Sequence, residues 1–245
     1  MIKNKFVVLF FILFLTGCHV GQLTTLYTDK TSYEKDGIRY DANNMPITGV
    51  YHNYSKTMRL KEEVHYVDGI MSGLFLSYNN KGKLIYNANY LSGALNGRFV
   101  EYYPSGQEKE ISYYKKDKLD GSRLFYYENG DLLRKESYVN GKKNGIFEEY
   151  YDTGAVKYTL TYKNNKQNGP QRFYTKSNNL ISYSMYIKGK CNGVTESYYK
   201  NGKAKVLAKC KKGKLNGKAK FFSKKGNLEK IVTYKNGEEI NSVKF

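Results

Sequence analysis

The sequence predicts an all-β protein, a solenoid-like meander of about eight 24-residue β-hairpin repeats that form an elongated, twisted sheet. Glycine recurs every 24 residues without an insertion, and a fixed period of this length is typical of repeat architectures. The 26 Tyr and 12 Phe against only 3 Pro favour β-strands, and no segment has the periodicity of an amphipathic helix. The series consists of Gly49, Gly73, Gly97, Gly121, Gly145, Gly169, Gly193 and Gly217.

Each repeat has the pattern of one hairpin. We number positions 0 to 23 from each series glycine, so that repeat 1 begins at Gly49 and repeat 8 at Gly217. Gly and Asn cluster near positions 8–9 and 19–20, and these residue types tolerate the positive φ of turns. We expect two-residue type I′ turns at Asn129-Gly130 and Asn201-Gly202, and a looser turn at segments such as Val139 to Asn144.

This turn assignment fixes a register that the structure can test. If positions 8 and 9 form the turn, cross-strand partners sum to 17, and each series glycine faces position 17. That position is Tyr in seven repeats and Cys210 in the other. An aromatic ring over a strand glycine stabilises that weak position, which would explain the period without invoking function.

The same register predicts two different faces of the sheet. Positions 2, 4, 6, 11, 13, 15 and 17 form an apolar face, on which most repeats place one aromatic residue at position 2 or 4. Repeat 7 supplies none, because it has Thr195 and Ser197 there. The other face is mainly polar, with tyrosines at position 5. Those tyrosines either reinforce the sheet or make cation–π contacts with lysines. The second alternative comes from position 12, which places four lysines on that face: Lys61, Lys109, Lys157 and Lys205.

The first residues predict export and lipidation. Lys3 and Lys5 precede an apolar run from Phe6 to Leu15, which suits a signal peptide and is too short for a membrane span. The sequence Leu15-Thr16-Gly17-Cys18 resembles the bacterial lipobox, whose Cys is acylated. We therefore predict a signal peptide over residues 1–17, palmitate-type acylation of Cys18, a linker and capping half-repeat over 18–48, and eight repeats over 49–245.

An exported chain can carry disulfides, and two cysteines remain after Cys18. The register places Cys210 opposite Gly193, two residues from Cys191. Whether the pair forms a bond depends on the shape of the turn that holds Cys191.

The charge of the chain is strongly and unevenly basic. The formal net charge is +19, and residues 188–245 hold 16 Lys, no Arg and 4 Glu. Such a surface favours anionic partners, although Lys, Asn and Tyr also abound together in proteins of AT-rich genomes. We take the lysines of this end as a candidate binding face: Lys203, Lys205, Lys209, Lys211, Lys212, Lys214, Lys218 and Lys220.

The sequence contains no recognisable catalytic or metal-binding motif. Its only histidines are His19, His52 and His65, a poor set for zinc without neighbouring Cys or clustered carboxylates. It also has no Gly-rich phosphate loop and no nucleophile motif. We expect a protein that is not an enzyme and has no metal or cofactor.

The repeat unit resembles the bacterial MORN-repeat variant, over residues 49 to about 241. Repeat 5 carries the pattern in Gly145, Phe147, Tyr150, Tyr151, Gly154, Val156, Tyr162, Asn168 and Gly169. The resemblance implies no catalytic residues. Bacterial members are often described as antitoxin-like, others are surface lipoproteins, and the family is named for membrane recognition.

Taken together, these patterns predict a lipid-anchored envelope protein that acts as a non-catalytic scaffold for binding another protein, in an immunity, antitoxin-like or surface-interaction role. The alternative is a module whose basic C-terminal repeats lie on an anionic membrane surface. A lipid anchor would place the chain at the outer membrane, the cell surface or facing the periplasm. Nucleic acid is therefore not an expected partner.

Overall fold

The computed structural model describes residues 25–245, so the predicted signal peptide and Cys18 lie outside the described residues. Within that range the chain is all-β and no residue is helical. The strands of the N-terminal segment and repeats 1 to 3 are β1 (Leu26–Thr28), β2 (Ser32–Lys35), β3 (Ile38–Asp41), β4 (Gly49–Tyr54), β5 (Leu60–Val67), β6 (Ile70–Tyr78), β7 (Leu84–Leu91), β8 (Ala94–Tyr102), β9 (Glu108–Lys115) and β10 (Lys118–Tyr126). Those that follow are β11 (Leu132–Val139), β12 (Lys142–Lys143), β13 (Gly145–Tyr150), β14 (Val156–Lys163), β15 (Lys166–Tyr174), β16 (Leu180–Ile187), β17 (Lys190–Tyr198), β18 (Ala204–Lys211), β19 (Lys214–Leu215), β20 (Gly217–Phe222), β21 (Leu228–Lys235) and β22 (Glu238–Lys244).

One long meander contains all of these strands except β2 and β3, which form a separate hairpin. From β4 to β22 each strand is antiparallel to the strand before it, with β12 and β19 as short segments ahead of β13 and β20. Strand β1 pairs in parallel with β4. The predicted fold class, a solenoid-like meander of β-hairpin repeats, is confirmed.

The tight turns lie at positions 19–20, contrary to the sequence-based assignment. Val139 pairs with Lys142, and both residues between them have positive φ, 49° at Asn140 and 74° at Gly141. Two consecutive positive φ values define a type I′ turn, whose twist matches that of the flanking strands. All eight repeats have this geometry, so the prediction of a looser turn at Val139 to Asn144 was wrong.

The turn near positions 8–9 is the wider one. The Gly130 amide donates to the Tyr127 carbonyl and the Tyr127 amide to the Asp131 carbonyl, so the loop holds three residues. Gly130 has a φ of 91°, whereas the φ of Asn129 is not positive. This combination fits a type I turn followed by a left-handed glycine. The I′ assignment of Asn129-Gly130 and Asn201-Gly202 was therefore wrong, because an Asn-Gly pair suits either loop.

The predicted register nevertheless holds for most of each hairpin. Every series glycine pairs with position 17, as in Gly121 with Tyr138 and Gly193 with Cys210. The space around the glycine is limited by its other neighbour, the preceding strand. A Cβ built on Gly97 would lie 3.4 Å from the Asn89 Cβ, and Gly97 has a φ of 109°. All eight series glycines have positive φ, and at most of them, although not at Gly217, the neighbouring strand also leaves little room for a Cβ.

A second bulge, near the wide turn, changes the predicted faces. In all eight hairpins the register slips after position 4, so that position 5 pairs with position 11, as Tyr150 does with Val156. Position 12 is the extra residue. The Lys157 Nζ bonds Glu149 at 2.7 Å and lies 5.9 Å from the centroid of the Tyr151 ring. Of the two alternatives for the position 5 tyrosines, the pairing with position 12 lysines does not occur at Lys157, because the bulge turns that side chain toward positions 4 and 6.

The best-buried side chains follow one line across the predicted apolar face. Most of the buried side chains come from positions 2, 15 and 17, including Tyr51, Val64, Ala88, Phe147 and Val232. Two buried residues of the other face, Val100 and Ile111, depart from the prediction that this face is mainly polar. Both faces therefore contribute apolar packing in the middle of the sheet.

The segment before repeat 1 packs on the end of the sheet. The Arg39 guanidinium lies 3.8 Å from the centroid of the Tyr51 ring, and the Arg39 amide donates to the Gly69 carbonyl. Ile47 is buried with Tyr51, Val64 and Tyr66 in one cluster. These contacts cover the apolar side of repeat 1. The domain boundaries stay predictions.

Candidate interaction surface

The tight turns stack into one continuous edge of the sheet, here called the turn edge, formed by positions 18–23 of every repeat. The amide at position 20 donates to the carbonyl at position 22 of the preceding repeat, as Gly141 does to Leu119 at 2.7 Å and Gly213 to Cys191 at 2.8 Å. The same bond occurs in all eight repeats. Adjacent repeats are thus held in register by main-chain hydrogen bonds that do not depend on side-chain identity.

Side chains at position 23 add a second link between the turns. The Asn168 Oδ1 accepts from the Lys188 amide at 3.2 Å, and the Asn192 Oδ1 accepts from the Lys212 amide at 3.3 Å. Asp120 and Asn216 bind the next turn in the same way. This explains why Asn or Asp precedes many series glycines, and it makes that residue structural.

A third recurring contact lies at the other edge of the sheet, beside the wide turns. Where position 6 is Tyr, its hydroxyl donates to the carbonyl at position 5 of the next repeat, as from Tyr103 to Tyr126 and from Tyr199 to Phe222, both at 2.8 Å. Sequence reasoning missed this role, although the Tyr-Tyr pairs at positions 5 and 6 were a signal for it.

The composition of the turn edge changes along the molecule. In the turns of repeats 1 and 2 it presents Val67, Ile70 and Leu91, which are 47%, 38% and 57% exposed. In repeats 3 to 7, positions 18–23 together hold twelve lysines and two aspartates. The first two turns therefore form an exposed apolar patch, and the next five form a basic ridge.

The eight lysines proposed from the sequence do not form one face. Lys211, Lys212 and Lys214 lie on the turn edge, whereas Lys209, Lys218 and Lys220 lie on the sheet face opposite the buried line. Lys205 lies beside Tyr199, and the Lys203 Nζ donates to the Lys225 carbonyl across the wide-turn side. The structure divides the set among three surfaces.

A compact ion cluster interrupts the buried line at repeats 3 and 4. Arg123 donates from Nε and Nη2 to the two carboxylate oxygens of Glu110, at 2.8 and 2.9 Å, and the Ser112 hydroxyl donates to the same carboxylate. Glu110 is buried, and its hydrogen bond raises the pKa of Arg123 despite the opposing effect of burial. A bidentate pair of this kind is structural, because its donors and acceptors satisfy each other.

The neighbouring carboxylates are held in the same manner. Burial and a 2.8 Å hydrogen bond to Glu136 raise the pKa of Tyr138 to about 12. Burial alone would raise the pKa of Glu149, but hydrogen bonds from Lys157 and Tyr158 outweigh it and lower that pKa. Each of these carboxylates is engaged by basic or hydroxyl side chains, so the cluster has the character of a packing element.

Cys191 and Cys210 are brought together at the border of repeats 6 and 7. Their Cα atoms are 5.8 Å apart and their sulfurs are joined in a disulfide. Cys191 pairs with Tyr186 and Cys210 with Gly193. The I′ turn at Lys188-Gly189 sets the direction of the strand that carries Cys191.

The two histidines of repeat 1 share one carboxylate. The Nε2 atoms of His52 and His65 lie 3.2 and 3.4 Å from the two oxygens of Glu63, which sequence reasoning did not place between them. No group of three or more residues within 25–245 has an arrangement suited to a metal ion. In the same part of the chain, no helix has the length and hydrophobicity needed to cross a membrane.

Four segments of the chain match the family model described as the MORN repeat variant: residues 95–116, 119–140, 143–164 and 215–236. These four hairpins are similar to the repeat unit of that family. Each match begins at position 22 and ends at position 19 of the next repeat, so the family unit is one hairpin cut at the I′ turns. The other hairpins share the period and the turns of the four matched segments.

Two solved structures with partial similarity are a TcdB2–TccC3 complex with Cdc42 and TcdB2–TccC3 alone. For each, sequence identity is 12%, the alignment covers 82% of this chain and 13% of that chain, and the TM-score is 0.23. This chain therefore spans a small part of those proteins. No curated protein matches the sequence.

Proposed function

We propose that this protein is a lipid-anchored, non-catalytic repeat scaffold that binds another protein, in an immunity, antitoxin-like or surface-interaction role. The observation that carries the proposal is the exposed apolar patch of Val67, Ile70 and Leu91 on the turn edge. Exposed apolar side chains that adjoin one another are typical of protein interfaces. The main-chain bonds between turns hold the patch in a fixed shape before a partner binds.

The contacts within the patch support its continuity. Val67 pairs with Ile70 across the first turn, and a Cβ built on Gly93 in the next turn would lie 3.3 Å from the Ile70 Cγ2. Leu91 flanks that second turn, paired with Ala94. Two stacked turns thus present one surface, and the basic ridge begins in the next repeat.

The test is affinity capture from envelope extract with quantitative mass spectrometry. The variant Val67→Ser, Ile70→Ser, Leu91→Ser should lose the captured partner. A matched control replaces three similarly exposed aliphatic residues of later repeats, Val139→Ser, Ile146→Ser and Ile187→Ser, and should keep it. Equal capture by both variants and the parent would contradict the assignment of the patch.

The anchor is tested separately, by metabolic labelling with palmitate and mass analysis of the mature protein. We expect label on the parent and none on Cys18→Ala. An unlabelled parent would remove the lipoprotein part of the proposal without affecting the protein-binding part.

A second candidate function is binding to an anionic membrane surface, which the exposed lysines of the last repeats favour. Flotation with anionic vesicles separates it from the first. If Cys18→Ala protein floats and salt releases it, the membrane function gains support. If it does not float, the protein-binding function is favoured.

A further inference from the structure

We propose that the basic ridge of the turn edge binds a linear acidic polysaccharide. Its central feature is a ladder of five lysines at position 21 in five consecutive repeats. They are Lys118, Lys142, Lys166, Lys190 and Lys214.

The ladder is continuous because successive turns stack on one another. A Cβ built on Gly141 would lie 3.7 Å from the Lys118 Cβ, and one on Gly213 would lie 3.8 Å from the Lys190 Cβ. Consecutive ladder lysines are two strands apart, which corresponds to roughly 10 Å between their Cα atoms. All five are exposed, and none is ion-paired with another residue of the described chain.

Neighbouring positions make the ridge more basic. Position 18 adds Lys115, Lys163 and Lys211, and position 19 adds Lys116, Lys188 and Lys212. Against these stand only Asp117 and Asp120 within the turns of repeats 3 to 7. A line of like charges held at equal intervals favours a partner with opposite charges at regular intervals along a chain.

The ridge also contains a hollow between two of its turns. A shallow hollow of about 500 Å³ is lined by Lys163, Asn164, Lys166, Asn168 and Lys188, with no acidic residue among them. The Asn168 Oδ1 already accepts from the Lys188 amide, which leaves its NH₂ group free to donate to a ligand. Ammonium and amide donors side by side suit a ligand that carries both acidic groups and hydroxyl groups.

The residues of the ridge favour a polysaccharide over other polyanions. Single-stranded nucleic acid binds through aromatic side chains that stack on bases, and the turn positions of repeats 3 to 7 contain no aromatic residue. A membrane presents a broad plane, whereas the ladder is a single row along an edge. Acidic sugars in a regular chain match both the row and the amide donors.

The test measures fluorescence anisotropy of labelled polygalacturonate with the full chain in a neutral detergent. The ladder variant changes all five lysines to Gln. The matched control removes the same charge from five exposed lysines on the wide-turn side, as Lys56→Gln, Lys81→Gln, Lys200→Gln, Lys224→Gln and Lys225→Gln. Circular dichroism of each variant checks that it is folded.

We expect the ladder variant to bind at least tenfold more weakly than the parent, and the control to stay within about threefold. Longer oligomers should bind more tightly than short ones, because they reach more lysines, and neutral dextran should not bind. Heparin in parallel distinguishes sulfated from carboxylated chains. The proposal is overturned if no acidic polysaccharide binds, if both variants lose affinity equally, or if an oligonucleotide or anionic vesicles bind the ladder more tightly than either polysaccharide.

Discussion

Repeats 5 and 7 share one backbone geometry but are packed by different chemistry. In repeat 5, Phe147 is 4% exposed, and its ring centroid lies 5.6 Å from that of Tyr138 and 4.8 Å from that of Tyr162. Repeat 7 has Thr195 in place of that Phe and Cys210 in place of the Tyr at position 17. There the disulfide from Cys191 to Cys210 occupies the place of the aromatic contacts.

The difference shows which features define the repeat. Gly145 pairs with Tyr162 and Gly193 with Cys210 in the same register, and the inter-turn hydrogen bond is present at both repeats. The main-chain frame is therefore constant, while the side chains that fill it are interchangeable. The side chains of the turn edge differ more between repeats than those of the buried line. They form the apolar patch in repeats 1 and 2 and the basic ridge in repeats 3 to 7.

Removal of the aromatic packing of repeat 5 should have the largest effect. Phe147→Ala should lower the free energy of unfolding by about 4 kcal/mol, since it empties a buried site between two rings. Urea unfolding measures the change. Lys157→Ala removes an ion pair whose lysine side chain is 46% exposed, and it should cost less than about 1 kcal/mol because Tyr158 still donates to Glu149. Equal midpoints for the two variants would contradict the assignment of the buried face.

Removal of the disulfide should have the next largest effect. The bond spans 19 residues, so Cys191→Ser with Cys210→Ser should cost about 3 kcal/mol through the entropy of the unfolded chain. Thiol titration before and after reduction provides the control for the oxidised state. Combining this change with Phe147→Ala should give additive effects, because the two sites share no contacts.

The series glycines provide a matched pair. Both Gly169 and Gly217 have positive φ, 128° and 92°, but only at Gly169 would a Cβ meet a neighbour, the Thr161 Cβ at 2.9 Å. Gly169→Ala should therefore cost about 2 kcal/mol and Gly217→Ala about 1 kcal/mol. Thermal unfolding of both variants checks the order. A reversed order would show that the strand approach is not what restricts the series.

The smallest expected effect is a loss of stability in alkali. The pKa of Tyr158 is raised to about 12 by burial and by its hydrogen bond to Glu149, and that of Tyr198 to about 12 by its hydrogen bond to Glu196 and by burial. A raised tyrosine pKa stabilises the fold below pH 10, and this contribution is lost as the pH rises toward 12. Urea midpoints measured across that window should fall, and Tyr158→Phe should lessen the fall. A flat profile would contradict the hydrogen-bonded state of these tyrosines.

The sequence was sufficient to predict the hairpins, their period and the pairing of Gly49 with Tyr66, because these depend on local residue types and strand parity. It did not predict the bulge after position 4, which moves Lys157 toward Glu149 and Tyr151. A bulge adds one residue without changing the composition, so the pattern alone does not reveal it. The reversal of the two turns has the same origin, since Asn-Gly fits both.

The candidate surface was harder to predict for a geometric reason. Lys203 and Lys214 are close in sequence, but Lys203 lies at the edge with the wide turns and Lys214 lies on the turn edge. Lys118 and Lys142, by contrast, are 24 residues apart and lie in one row. Grouping by sequence interval therefore placed unrelated lysines together. Only the stacking of the I′ turns shows that position 21 forms a line.

All repeats share one main-chain frame, and in repeat 7 the disulfide replaces the aromatic packing locally. Hydrogen exchange measured by mass spectrometry, with and without reductant, tests this replacement. We predict that reduction speeds exchange in residues 169–216 and leaves residues 73–144 unchanged. Uniform acceleration along the chain, or none in repeat 7, would contradict the claim.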